Sequence, residues 1–213
     1  LNTFLMHEEI ITDALKCYDV VKKEELEKNG MVWLPYMPFN NTYCLMMQKG
    51  DSEKLGIKTL SELASYVKMN PREIAFGLNE EFYTRPDGYL PLSRAYEFKF
   101  DKEKIIKMKS GLLYKAVGDD TIQVGLGFAT DGRIKAFDLL VLDDDKKFFP
   151  VYHPAPVMRK ETADKYPELD GIFKTLREKL NTEAMRDLNY QVDIEHKTLK
   201  DVAEKWLKQA GLI

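Results

Sequence analysis

The chain has 213 residues, 44% of them hydrophobic and 31% charged, with a formal net charge of −3. That length supports one large domain or two small ones with real cores. The near balance of 32 basic and 35 acidic residues argues against a general nucleic-acid binder, and no apolar run reaches the roughly 18 residues that a membrane-spanning helix needs.

The chain opens on Leu1, which is not an initiator residue, inside an expected helix over 5–14, as a processed or partial chain would. Residues 12–28 predict a helix, with Ala14, Leu15, Tyr18, Val21 and Leu26 at roughly helical spacing and Asn29-Gly30 closing it. A short apolar run over 31–34 is broken by Pro35 and Pro38. Residues 42–47 predict a strand buried on both faces, and 48–51 a turn. Thr59 followed by Glu62 is a capping box that opens the next helix.

Beyond it, 74–77 predict a short strand, 80–88 a loop interrupted by Pro86, and 90–96 and 109–116 helices. Residues 121–128 alternate Ile122, Val124 and Leu126 as a strand does. A second strand is expected over 139–142 and an acidic-basic turn over 143–147. The tail predicts helices over 160–165, 169–180 and 199–210, with a further turn or two over 182–189. Asn181 and Thr198 are candidate caps, and Gly211 terminates the last helix.

Strands alternating with helices imply an α/β fold with mostly parallel strands. Extended segments over 36–47 and 139–152 read as crossings between two lobes. The expected division is 1–42 and 143–213 in one lobe and 43–142 in the other, with a pocket in the cleft between them. Cys17 and Cys44 read as separate buried thiols, with a disulfide left open. Neither has metal-ligand spacing, and His7, His153 and His196 form no ligand pattern, so no metal and no cofactor are expected.

Three segments carry aromatic residues that draw attention: Asn40-Asn41-Thr42-Tyr43, Gly127-Phe128-Ala129-Thr130-Asp131-Gly132-Arg133 and Phe148-Phe149-Pro150-Val151-Tyr152. Between them lies Arg85, in Glu81-Phe82-Tyr83-Thr84-Arg85-Pro86-Asp87-Gly88-Tyr89. Aromatic faces attract a cation that has no hydrogens to donate, and an arginine fork grips a carboxylate. Together they describe a pocket for a small quaternary-ammonium compound.

These segments resemble the substrate-binding proteins of ABC importers for glycine betaine, choline, carnitine and related compatible solutes. The resemblance is carried by Phe39-Asn40-Asn41-Thr42-Tyr43, the Phe82 to Tyr89 segment, Thr130-Asp131-Gly132-Arg133-Ile134-Lys135-Ala136, and Leu142-Asp143-Asp144-Asp145-Lys146-Lys147-Phe148-Phe149-Pro150. Ala155-Pro156-Val157, Pro167-Glu168-Leu169 and Leu188-Asn189-Tyr190-Gln191-Val192-Asp193 extend it over nearly the whole chain. It implies a two-lobed α/β clamshell of the periplasmic-binding-protein type II, here lacking the N-terminal part of the first lobe. It implies Tyr43, Phe128 and Tyr152 as cage walls, with Phe128 standing where many relatives have Tyr. Arg85 is then a carboxylate clamp, against the plainer reading of an ion pair with Asp87 or Glu81.

Asn41 reaches the ligand or holds the strand crossing, and Tyr18, at apolar helix spacing, reads first as packing and only weakly as a contact. Asp131 and Arg133 read as structural supports for the loop that presents Phe128. The implied partners are the small cation and a membrane permease, and lobe closure on the ligand is the implied signal to that permease. The implied location is the periplasm or the outer face of the cytoplasmic membrane, by lipid anchor or fusion to the permease.

Ergothioneine or another trimethylammonium amino acid is the alternative ligand. A sensor domain fused to a signalling or permease chain is a further reading. An α/β enzyme is the weakest: Asp143-Asp144-Asp145 beside Lys146 and Lys147 reads as a solvated turn, and no nucleophile with a base, phosphate loop or HExxH-type pair accompanies it.

Overall fold

The computed structural model describes residues 13–213. The helix expected over 5–14 therefore lies outside the described residues, apart from its last two positions. In chain order the elements are α1 (Ala14–Asn29), β1 (Met31–Trp33), β2 (Tyr43–Gln48), α2 (Lys49–Leu55), α3 (Leu60–Met69), β3 (Phe76–Leu78), α4 (Glu80–Thr84) and α5 (Tyr89–Tyr96). A 3-10 turn over Lys102–Lys104 leads to β4 (Ile105–Lys107), α6 (Ser110–Gly118), β5 (Val124–Phe128), α7 (Arg133–Ala136) and β6 (Leu139–Val141). Then come β7 (Val157–Arg159), α8 (Lys160–Lys165), α9 (Glu168–Lys179), α10 (Thr182–Asp193) and α11 (Leu199–Gln209).

These elements gather into two compact units. One holds residues 13–41, Pro150–Met185 and Ala203–Ile213; the other holds Thr42–Phe149 and Arg186–Val202. In the first unit, α1 starts on Asp13, whose carboxylate accepts from the Lys16 amide, and stops at Gly30. Gly30 sits in the left-handed region at φ 62°, and its amide donates to the last-turn carbonyls of Glu25 and Leu26. β1 then pairs antiparallel with β7, matching Val32 to Met158. Beyond that ladder backbone bonds continue to join the two extended segments while the register shifts, with Met37 N donating to Pro154 O at 2.7 Å and Asn41 N to Tyr152 O at 3.1 Å.

The second unit is built on a five-stranded sheet in the order β4-β3-β5-β2-β6. β3 runs parallel to β4 and β5, while β2 runs antiparallel to both β5 and β6. Four strands thus share a direction and β2 alone opposes them, from an interior position. Alternation of strands and helices predicts parallel re-entry but is blind to a strand that enters the sheet from outside the alternation. Cys44, Leu45, Met46 and Met47 of β2 are all buried, as the apolar run requires. They pack with Phe76, Leu78, Leu113, Tyr114, Val124 and Leu126 in one continuous core.

Several local expectations are corrected. Residues 48–51 open α2 rather than a turn: Gly56 at φ 67° supplies its stop, and buried Ser52 donates its hydroxyl to Ile57 O. The 80–88 loop begins with α4, whose Asn79 cap accepts from Phe82 N at 2.7 Å. α10 runs on to Asp193, well past the turn or two expected. The acidic run at 143–145 is the exposed turn expected, and it is also hydrogen-bonded to its surroundings. Asp144 accepts from the Phe148 and Phe149 amides at 3.0 and 2.8 Å and from the Tyr96 hydroxyl, while Asp145 accepts from Ser61 N and Oγ.

The Thr59–Glu62 capping box is present with both bonds. Cys17 and Cys44 are both free; Cys44 is buried, and burial pushes its thiol up to about 12.

Candidate functional site

The ladder between β2 and β5 makes the first contact of the site. Its register pairs Tyr43 with Phe128, residues far apart in sequence. Cross-strand partners project from the same face of a sheet. Their ring centres are 4.7 Å apart with planes 31° apart, so the two rings form one aromatic wall. Phe82 and Phe149 back Tyr43 at 5.3 and 6.4 Å. Both are buried, whereas Tyr43 and Phe128 are only half-buried, which divides support from presented surface.

Arg85 stands beside this wall. Its guanidinium carbon lies 5.7 Å from the Tyr43 ring centre, and Nη1 donates to the Tyr43 hydroxyl at 3.4 Å. Its other edge is bound within its own turn: Nε and Nη2 donate to the two Asp87 carboxylate oxygens at 2.6 and 2.7 Å. Glu81 lies 3.7 Å from Nη1. The Arg85 hydrogen bonds hold the Asp87 carboxyl below the usual carboxylate range. Asp87 is the residue that reading for single ligand contacts undervalues. The signal for it was the Arg-Pro-Asp-Gly turn, which folds position 87 back on 85.

The loop after Phe128 is held from several sides. Phe128 N donates to the Tyr114 hydroxyl at 2.8 Å, and Ala129 N to Thr42 O at 3.0 Å. Asp131 grips Arg133 with both oxygens, at 2.8 and 2.5 Å, and the Arg133 guanidinium sits 4.4 Å over the Tyr114 ring. These two residues are structural supports, as expected. From α10, Arg186 donates to Ala129 O at 3.1 and 2.7 Å, and Asn189 to Thr130 O at 2.8 Å. Their three-residue spacing on one helix face was the available signal for this pair.

The pH dependence of this support has a definite sign. Burial acts to raise the Asp131 carboxyl, but the hydrogen bonds and charge of Arg133 outweigh it and leave it below the usual value. A carboxyl lowered by folding stabilises the fold above its unfolded pKa, and that contribution is lost as pH falls through the folded value. Asp131→Asn should therefore be less stable at neutral pH, and its stability should fall less than wild type on acidification from about pH 5 to 2. Urea midpoints measured across that range check this.

The remaining candidates lie in the first unit. Asn41 is exposed and its backbone amide donates to Tyr152 O, while the Tyr152 ring is 45% exposed. Tyr18 donates its hydroxyl to Leu34 O at 2.8 Å and meets the Tyr36 ring edge-on at 5.3 Å. Tyr36 stacks on His153 at 4.9 Å, and His153 Nδ1 bonds Phe39 O at 2.8 Å. Tyr36 was not singled out from sequence. The same unit has a cavity of about 400 Å³ whose lining includes Met37, Phe39, Pro154, Pro156, Phe173 and Leu180. Its lining side chains are all apolar, so it lacks the convergent polar groups that orient a charged solute.

Among the described residues, no group of three or more His, Cys, Asp or Glu could hold a metal ion, and no helix is long and apolar enough to cross a membrane.

Comparison with known proteins gives a consistent picture. The chain is 40% identical over 206 residues to the glycine-betaine-binding protein of Pseudomonas aeruginosa, spanning 94% of this chain and 66% of that one. It is 38% identical over 195 residues to the ergothioneine transport permease/ergothioneine binding protein EgtU of Helicobacter pylori, spanning 92% of this chain and 34% of that one. The chain thus covers under two thirds of the length of both relatives. A solved structure described as a glycine betaine/carnitine/choline ABC transporter superposes with a TM-score of 0.90 at 33% identity, covering 99% of this chain and 75% of that one. The family described as the substrate binding domain of ABC-type glycine betaine transport systems, OpuAC, matches residues 3–209, and the chain belongs to that family.

Proposed function

We propose that the chain is the ligand-binding part of an extracytoplasmic solute-binding protein that delivers a small quaternary-ammonium compound to an ABC permease. Glycine betaine, choline and carnitine define the class. The observation that carries this is the Tyr43–Phe128 wall with Arg85 set against it. A trimethylammonium group has no N–H to satisfy, so aromatic faces replace its weak hydration at low cost, each contributing about 0.5–2 kcal/mol. Arg85 supplies a charge-assisted contact to a carboxylate, and such contacts together reach micromolar affinity, about −8 kcal/mol.

Tyr43, Phe128 and Arg85 are the proposed contacts from the second unit. Asn41, Tyr152 and, more weakly, Tyr18 are proposed as contacts on the ground of the sequence resemblance. The protein acts by binding, without catalysis, and is held outside the cytoplasmic membrane by a lipid anchor or by fusion to the permease. The two units correspond in this reading to two lobes. Ergothioneine, a trimethylammonium amino acid, belongs among the ligands to be tried because of the 38% identity to an ergothioneine binding protein.

Titration of the intact protein with choline, glycine betaine, carnitine and ergothioneine, followed by heat or tryptophan fluorescence, tests the proposal. Saturable binding of at least one is expected. Failure of all four would refute it.

A further inference from the structure

Arg85 raises an electrostatic difficulty for a cation site. A guanidinium 5.7 Å from the Tyr43 ring would repel a ligand that carries a net positive charge at that wall. Two carboxylates answer it, and they are not equivalent. Glu81 approaches with one oxygen at 3.7 Å from a side chain that is 75% exposed. Asp87 closes on Nε and Nη2 together at 2.6 and 2.7 Å.

The turn makes the Asp87 pair a fixed feature. Gly88 N donates to Arg85 O at 3.0 Å, closing Arg85-Pro86-Asp87-Gly88. A Cβ on Gly88 would stand 2.0 Å from Phe82 O, so the chain can come this close to Phe82 only with glycine there. Asp87 is thereby set against one edge of the fork while Nη1 points toward the Tyr43 hydroxyl.

We propose that Asp87 is a specificity-determining residue: by neutralising Arg85 in place, it lets the Tyr43–Phe128 wall accept a ligand of net positive charge, such as choline, as well as a zwitterion such as glycine betaine. The inference rests on the proposed quaternary-ammonium function. A zwitterion brings its own carboxylate to compensate Arg85; a simple cation depends on the protein to do so. Removing the Asp87 charge should therefore separate the two ligand classes.

The test measures the affinities of the intact protein for choline and glycine betaine in wild type, Asp87→Asn, Arg85→Gln and the double variant. Asp87→Asn should weaken choline about tenfold and glycine betaine by less than about threefold. Adding Arg85→Gln to Asp87→Asn should restore choline to within about threefold of wild type, because the repelling charge is gone. The choline loss in Asp87→Asn should shrink as salt is raised, since the Asp87 side chain is 60% exposed.

Equal losses for the two ligands, or no recovery in the double variant, overturn the inference. So does a wild-type protein that binds glycine betaine and not choline. A wild-type protein that binds neither overturns the proposed function, and the Asp87 role with it. If Asp87→Asn does not fold, Asp87→Ser replaces it and is read by the same outcomes, alone and combined with Arg85→Gln.

Discussion

Tyr43→Ala is expected to weaken quaternary-ammonium binding about thirtyfold or more, the equivalent of roughly 2 kcal/mol for losing the central aromatic face. Tyr43 is central because Phe128 continues its wall, Phe82 and Phe149 back it, and Arg85 Nη1 reaches its hydroxyl. Tyr43→Phe keeps the face and removes the hydroxyl that meets Arg85 Nη1 at 3.4 Å, so its cost should be about fivefold or less. Calorimetric titration of both variants separates the two contributions. A Tyr43→Ala protein that binds as wild type does would remove this residue from the site.

Gly132→Ala is expected to lower folding stability by about 2–3 kcal/mol, and Gly132→Val by more. The cause is steric rather than conformational. Gly132 has helical dihedrals that any residue adopts, at φ −63° and ψ −23°. A Cβ there would stand 2.5 Å from both N and Cα of Tyr190, and 2.9 Å from the Asn189 carbonyl carbon. All three are backbone atoms of α10, which cannot rotate aside as a side chain end can. The substitution should push α10 away from the loop that presents Phe128 and loosen the Arg186 and Asn189 bonds to it. Chemical denaturation reads the stability loss, and ligand titration above the unfolding threshold reads the effect on the wall.

How much of this was legible before the fold was seen follows from how local each signal is. Gly30 as a helix stop and Thr59 with Glu62 as a capping box are decided by a few neighbouring residues, and both stand as expected. The buried strand at 42–47 declared itself by its unbroken apolar run. What escaped was decided by distant partners. Gln48-Lys49-Gly50-Asp51 has turn composition, yet Gln48 Nε2 donates to Val117 O and Gly118 O and Lys49 N to Asp138 O, which anchors the start of α2. β4 is a three-residue strand of mixed polarity and exists because β3 offers it a parallel edge.

The site divides in the same way. Residue type drew attention to Tyr43, Phe128 and Arg85, and the family resemblance gave them their roles. Their neighbourhood depends on the β2–β5 register, which no local pattern specifies. Asp87 was in view only as a possible ion-pair partner. Its two-point grip on Arg85 depends on turn geometry that composition suggests but does not locate.

The most direct test of the central claim compares choline with 3,3-dimethyl-1-butanol, its uncharged isostere of nearly equal shape. Aromatic faces that bind through their quadrupole distinguish the two by charge, whereas a merely apolar pocket does not. Choline is predicted to bind the intact protein about thirtyfold or more tightly than the alcohol. Equal affinity for both, or preference for the alcohol, would contradict a cation-binding aromatic wall at Tyr43 and Phe128.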